Sequence, residues 1–155
     1  MKKTAFIIII FLLFITGYFY FNKPEPIQFK GVTELHIMRV SDEAAALSGN
    51  LIFHNPQKMR AQLGKLAIDV ALNNMTIGKL HESFTTTIRG EEDFAFNFQI
   101  RYPIHDVINT DSLIKTLPVS ITGTAATDVL FANYSIPINY SGTVMKYNYS
   151  LSKIM

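Results

Sequence analysis

From Ile27 onward, apolar side chains recur at every second position. Leu66, Ile68, Val70 and Leu72 alternate with Ala67, Asp69, Ala71 and Asn73, so a strand built from them presents one apolar face and one mixed face. Phe94, Phe96, Phe98, Ile100 and Tyr102 alternate in the same way with Ala95, Asn97, Gln99 and Arg101. Tyr134, Ile136, Ile138 and Tyr140 repeat the pattern, and Pro137 within it cannot donate to a ladder, which predicts an edge strand or a bulge. Less regular strands are predicted near 29–40, 46–54, 83–89 and 118–126. Asn73-Asn74 tolerates positive φ in a tight hairpin, and Arg89-Gly90-Glu91-Glu92 separates two strands. One segment breaks the period of two. Ile104, Val107, Ile108, Ile114 and Leu117 fit a helical face, with Asp106, Thr110 or Asp111 as caps and Pro118 as the stop. About seven or eight short antiparallel strands with one short helix predict an all-β sandwich.

The first 21 residues follow a different rule. Ala5–Phe21 is a run of 17 residues without a charge, about 25 Å long as a helix and at the short end for crossing a bilayer. A basic start and an apolar run also describe a cleaved signal peptide. The candidate −3/−1 pairs, Phe14/Thr16, Ile15/Gly17 and Thr16/Tyr18, are not small-x-small, and Tyr18–Phe21 followed by Lys23 reads as an interfacial aromatic belt. Residues 1–21 are therefore read as an N-terminal transmembrane helix, a membrane anchor with the signal peptide as the alternative. Lys2 and Lys3 place the start inside. The expected address is the cytoplasmic (inner) membrane, single-pass, with the domain on the extracytoplasmic, periplasmic side. Residues 22–31, with Pro24 and Pro26, form a stiff linker, and 32–155 the folded domain.

Charge and composition narrow the partners. Of 155 residues, 14 are Lys or Arg and 12 Asp or Glu, and Lys2 and Lys3 account for the whole excess. A formally neutral domain lacks the basic footprint of a nucleic-acid binder. With no cysteine, disulfides, thiol nucleophiles, cysteine-held zinc or iron–sulfur and a lipidated cysteine are all excluded.

One stretch has a familiar order. Leu47-Ser48-Gly49-Asn50-Leu51-Ile52-Phe53-His54-Asn55-Pro56-Gln57 resembles the strand ending in Asn-Pro of the group 2 late embryogenesis abundant family, also called the water stress and hypersensitive response (WHy) domain. Gln57 stands where members often carry a second Asn. Leu66–Asn74 followed by Ile77-Gly78 is similar to the family's next hairpin, and the step from Leu117 into Val119–Ala125 to its late helix-to-strand transition, so the likeness spans roughly 32–144. The resemblance implies an immunoglobulin/fibronectin-like antiparallel β-sandwich with one helix, membrane-tethered in some members. It implies no catalytic residues, and it associates the chain with desiccation and stress protection or with lipid binding. Physically, Asn55 at a strand end can bond the backbone and Pro56 stops the ladder, a structural role for both.

Catalytic chemistry is sparse. His81-Glu82-Ser83-Phe84-Thr85 begins like a zinc-protease motif, but Thr85 replaces the second imidazole. His105-Asp106 would point apart on a helix, and His36 and His54 have no ligand spacing. Gly64-Lys65-Leu66 and Gly78-Lys79-Leu80 lack the Ser or Thr of a phosphate loop, and Glu91, Glu92 and Asp93 read as solvated turn charges. No catalytic, cofactor-binding or metal residue is assigned. Tyr134, Tyr140, Tyr147 and Tyr149 are candidates for a hydrophobic groove, with core packing as the competing role, and the tail from Lys146 to Met155 alternates like a further edge strand. The expected function is a non-enzymatic, membrane-anchored extracytoplasmic module that binds or protects an envelope protein partner. A lipid-binding or lipid-transfer module is the alternative, favoured by an apolar cavity between sheets or beside the helix.

Overall fold

The computed structural model describes residues 2–21, 25–104, 116–129 and 132–145. Helix α1 spans Lys2–Phe21. Seven strands follow: β1 Gln28–Arg39, β2 Ala44–His54, β3 Ala61–Leu72, β4 Met75–Ile88, β5 Asp93–Pro103, β6 Thr116–Val129 and β7 Ala132–Met145. They form two antiparallel sheets, a three-stranded one in the order β1-β2-β5 and a four-stranded one in the order β4-β3-β6-β7. The sheets meet at both margins, β1 against β7 and β4 against β5, which closes a β-sandwich.

The alternating residues supply the core. Leu66, Ile68, Val70 and Leu72 of β3 are buried, as are Phe98, Ile100 and Tyr102 of β5 and Ile136 and Ile138 of β7. Phe53 at the centre of the buried set lies 5.7 Å from the tilted ring of Phe29. Across the β4/β5 margin Phe84 stacks on Phe96 at 5.1 Å. Gly78 permits that approach, because a Cβ there would press on the Ile100 side chain. Rings thus bridge the sheets where the backbones converge.

The irregular strands have identifiable causes. In β1 the pairing with β2 shifts between Phe29 and Gly31 and again between Thr33 and His36. Gly31 takes φ 148° and Glu34 φ 53°, so the inward positions run Phe29, Val32, Leu35, Ile37 instead of every second residue. Gly64-Lys65-Leu66 is a bulge of β3, with Lys65 at φ 31°, and has nothing of a phosphate loop.

Both prolines predicted to interrupt structure are accommodated. Pro137 lies in β7, an edge strand as expected. Pro118 stops no helix: β6 begins at Thr116, and Leu117 and Pro118 pair with Val144 and Thr143. The Pro118 carbonyl accepts from Asn73 N at 2.8 Å, just past the end of β3, so the missing N–H falls where no ladder partner is due. The rest of the predicted helix, residues 105–115, lies outside the described residues.

Asn73 and Asn74 take φ 53° and 63° in a two-residue β3–β4 hairpin turn of the kind that requires positive φ twice. Asn74→Val is expected to lower stability by about 1–2 kcal/mol, the cost of a Cβ-branched residue in the left-handed region, with Asn74→Gly neutral or better. The urea midpoint measures both.

Among the described residues no helix is long and apolar enough to cross a membrane. Along α1 the side chains described are those of 7–18 and Tyr20, and they are exposed on every side.

Candidate functional site

Asn55 ends β2 and is fully buried. Its Nδ2 donates to the carbonyls of Met59 at 2.8 Å, Arg89 at 3.1 Å and Ile88 at 3.3 Å, and its Oδ1 accepts from Gln57 N at 3.1 Å. Its backbone bonds Glu92 and Glu91 across the same junction. Gly90 sits so close to the Lys58 carbonyl that any Cβ would collide with it. The β2–β3 loop and the β4–β5 turn are thus fastened by one carboxamide, and Pro56 leaves the ladder beside it. Gln57 adds a tie, since its Nε2 donates to Glu25 O at 2.9 Å and holds the segment that enters the domain. Asn55 is fully buried and its bonds all go to these two loops.

The histidines do not converge. His36 lies on β1, His54 on β2 and His81 on β4, and His105 falls outside the described residues. Among the described residues no group of metal-binding side chains forms. His54 Nδ1 meets Asp93 Oδ1 at 2.7 Å, joining β2 to β5 where the ladder ends. His81 and Glu82 are neighbours on a strand, so they point to opposite sides. Lys79 pairs with Asp69 at 3.4 Å on the outer face of the four-stranded sheet. Of the turn carboxylates, Glu91 takes φ 61° and Glu92 reaches Arg89 at 4.0 Å. Tyr134 and Tyr140 are half-buried and pack on the core, while Tyr147 and Tyr149 lie outside the described residues, as does the tail from Lys146.

The concentration of polar chemistry lies on the outer face of the three-stranded sheet. Register brings His36, Ser48 and Gln99 into one row and Thr33, Asn50 and Asn97 into the next. An open groove of about 390 Å³ runs over them, bordered by Glu34 and Met38. Asn50 Nδ2 donates to Glu34 Oε2 at 2.7 Å, and His36 Nδ1 lies 2.7 Å from the Glu34 carbonyl. A carbonyl only accepts, so Nδ1 is the donor of this bond and Nε2 is left facing the groove. The Ser48 hydroxyl is buried at the floor of the groove with no hydrogen-bond partner among the described residues.

Reading the sequence for catalytic motifs passed over this cluster. The signal that marks it is the outward half of the most regular strand, where Asn97 and Gln99 stand in place of the Lys and Glu usual on a solvated face.

No family model and no curated protein matches the chain. Solved structures do. A crystal structure of a protein from Archaeoglobus fulgidus superposes with a TM-score of 0.51 at 8% identity, covering 77% of this chain and 98% of that one. The solution structure of AT1g01470 from Arabidopsis thaliana gives 0.61 at 13% identity, covering 81% and 87%. At such identities the likeness is one of fold: this chain is similar to both as a β-sandwich.

Proposed function

We propose that this chain is a membrane-anchored, non-enzymatic binding or protective module of the cell envelope, with a WHy-like sandwich on the extracytoplasmic side and a role under water stress. What supports the reading is the exposed apolar surface of α1 together with the uncharged run Ala5–Phe21, although no described helix is by itself long and apolar enough to cross a membrane. Ile7 to Ile15 are each between 37% and 78% exposed, a surface apolar all round that water does not stabilise. The hydroxyl of Thr16, next along the helix, turns inward, since Thr16 Oγ1 donates to the Leu12 carbonyl, the arrangement that a hydrocarbon environment demands. On this reading Tyr18 and Tyr20 would stand at the depth of the headgroups.

The sandwich supports an interaction role over a carrier. Its interior is occupied by the chain's own rings and aliphatic side chains. The buried, fully bonded Asn55 supports the WHy reading, because it gives the Asn-Pro strand end a structural reason.

Alkaline carbonate extraction of native membranes tests the anchor. The chain is expected to stay in the pellet, with an intact mass beginning at Met1. Release into the supernatant, or a mature chain starting after residue 17, overturns it.

A further inference from the structure

We propose that the groove on the outer face of the three-stranded sheet binds a neutral, polyhydroxylated ligand, an oligosaccharide. This ligand assignment rests on reading the domain as a binding module and is independent of the anchor.

Three features indicate a built site. The first is strain. Glu34 holds φ 53° without being Gly, Asn or Asp, in a bulge that aims its carboxylate at Asn50, and such residues persist where the surroundings over-determine them. The second is orientation. With Asn50 Nδ2 committed to Glu34 and His36 Nδ1 to the Glu34 carbonyl, Asn50 Oδ1 is left as a fixed acceptor and His36 Nε2 as a second oriented polar atom. Asn97 and Gln99 add exposed carboxamides that both donate and accept. The third is the Ser48 hydroxyl, a buried polar group whose missing bond costs stability. Exposed His36 and Gln99 flank it across the ladder.

The chemistry selects the class. No Lys or Arg lines the groove, and Glu34 repels phosphate or carboxylate, so an anion is disfavoured. Glu34 is the one carboxylate of the groove, and with His36 it does not make up a metal-binding group among the described residues. Alternating acceptors and carboxamides, with the partly exposed thioether of Met38 as an apolar shelf, match hydroxyls around a sugar ring and its C–H face.

The test uses the full chain in lipid nanodiscs, which keep sugar-headed detergents out of the assay. Cello-, malto- and chito-oligosaccharides are titrated by calorimetry. Saturable binding of at least one is expected, weakened about tenfold or more by the double change Asn97→Ala and Gln99→Ala and unaffected by Asp69→Ala on the opposite sheet. Ser48→Ala separates function from structure: it is expected to leave the melting temperature unchanged or raised while weakening binding. The proposal is overturned by no saturable binding to any of the three, by wild-type affinity in the double variant, or by a Ser48→Ala protein that loses stability and keeps its affinity. A chain that resists carbonate extraction yet binds no glycan overturns the ligand assignment alone. One that is extracted yet binds glycan supports it and removes only the anchor.

Discussion

Asn55→Ala is expected to destabilise the domain by about 3–5 kcal/mol, read as a lower urea midpoint at unchanged slope. The change leaves the carbonyls of Met59, Ile88 and Arg89 and the N–H of Gln57 without their partner. Each unsatisfied buried group costs about 1–3 kcal/mol. The two hydrogens of Nδ2 are shared among three acceptors, and a junction at the end of the sandwich admits some water, so the total stays below the simple sum. Asn55→Asp, nearly the same shape, is the sharper comparison. It replaces the donor by a carboxylate facing three carbonyl oxygens and is expected to cost more than alanine. Pro56→Ala, which removes a ring and no bond, is expected to stay within about 1 kcal/mol. An Asn55→Asp protein as stable as the wild type would show that the carboxamide does not fasten the two loops.

The second large effect concerns α1. Phe6 to Ile15 are ten consecutive large apolar residues, worth about −0.3 to −0.6 kcal/mol each toward membrane insertion, and an arginine near the centre opposes this by about 2.5–3.5 kcal/mol. One arginine therefore weakens insertion and two on one face cancel it. The pair Ile9→Arg and Leu13→Arg, one helical turn apart, is expected to move most of the chain from the carbonate-resistant pellet to the soluble fraction. The swap Ile9→Leu with Leu13→Ile is expected to change nothing. Full retention of the double-arginine chain would sink the anchor reading, since only an attachment elsewhere in the chain would survive it.

Much of this architecture is legible in the residues, and the illegible parts have physical reasons. β3, β5 and β7 announce themselves because a half-buried strand imposes a period of two. β1 hides its inward face because two bulges displace the alternation, and Glu34 carries no compositional sign of the positive φ that it takes. Asn73-Asn74 and Pro137 are readable because their backbone chemistry allows few alternatives. Leu117, which fits a helical face as well as a strand, is assigned by its ladder partner Val144, information held 27 residues away. The groove is the least legible feature. Its residues are unremarkable in sequence, and only the register of β1, β2 and β5 makes them neighbours.

The two sheets also set a timetable for folding. β1–β2, β3–β4 and β6–β7 are hairpins between consecutive strands, which close in about 1–10 μs. The pairings that join them are remote: His54 meets Asp93 across 39 residues, and Thr127 Oγ1 reaches the Gln62 carbonyl across 65. The chain must confine these long loops before their contacts stabilise it, which places sandwiches of this kind in the millisecond-to-second class. The Asn55 junction, which ties the end of the β1–β2 hairpin to the end of the β3–β4 hairpin, closes only once the two have met.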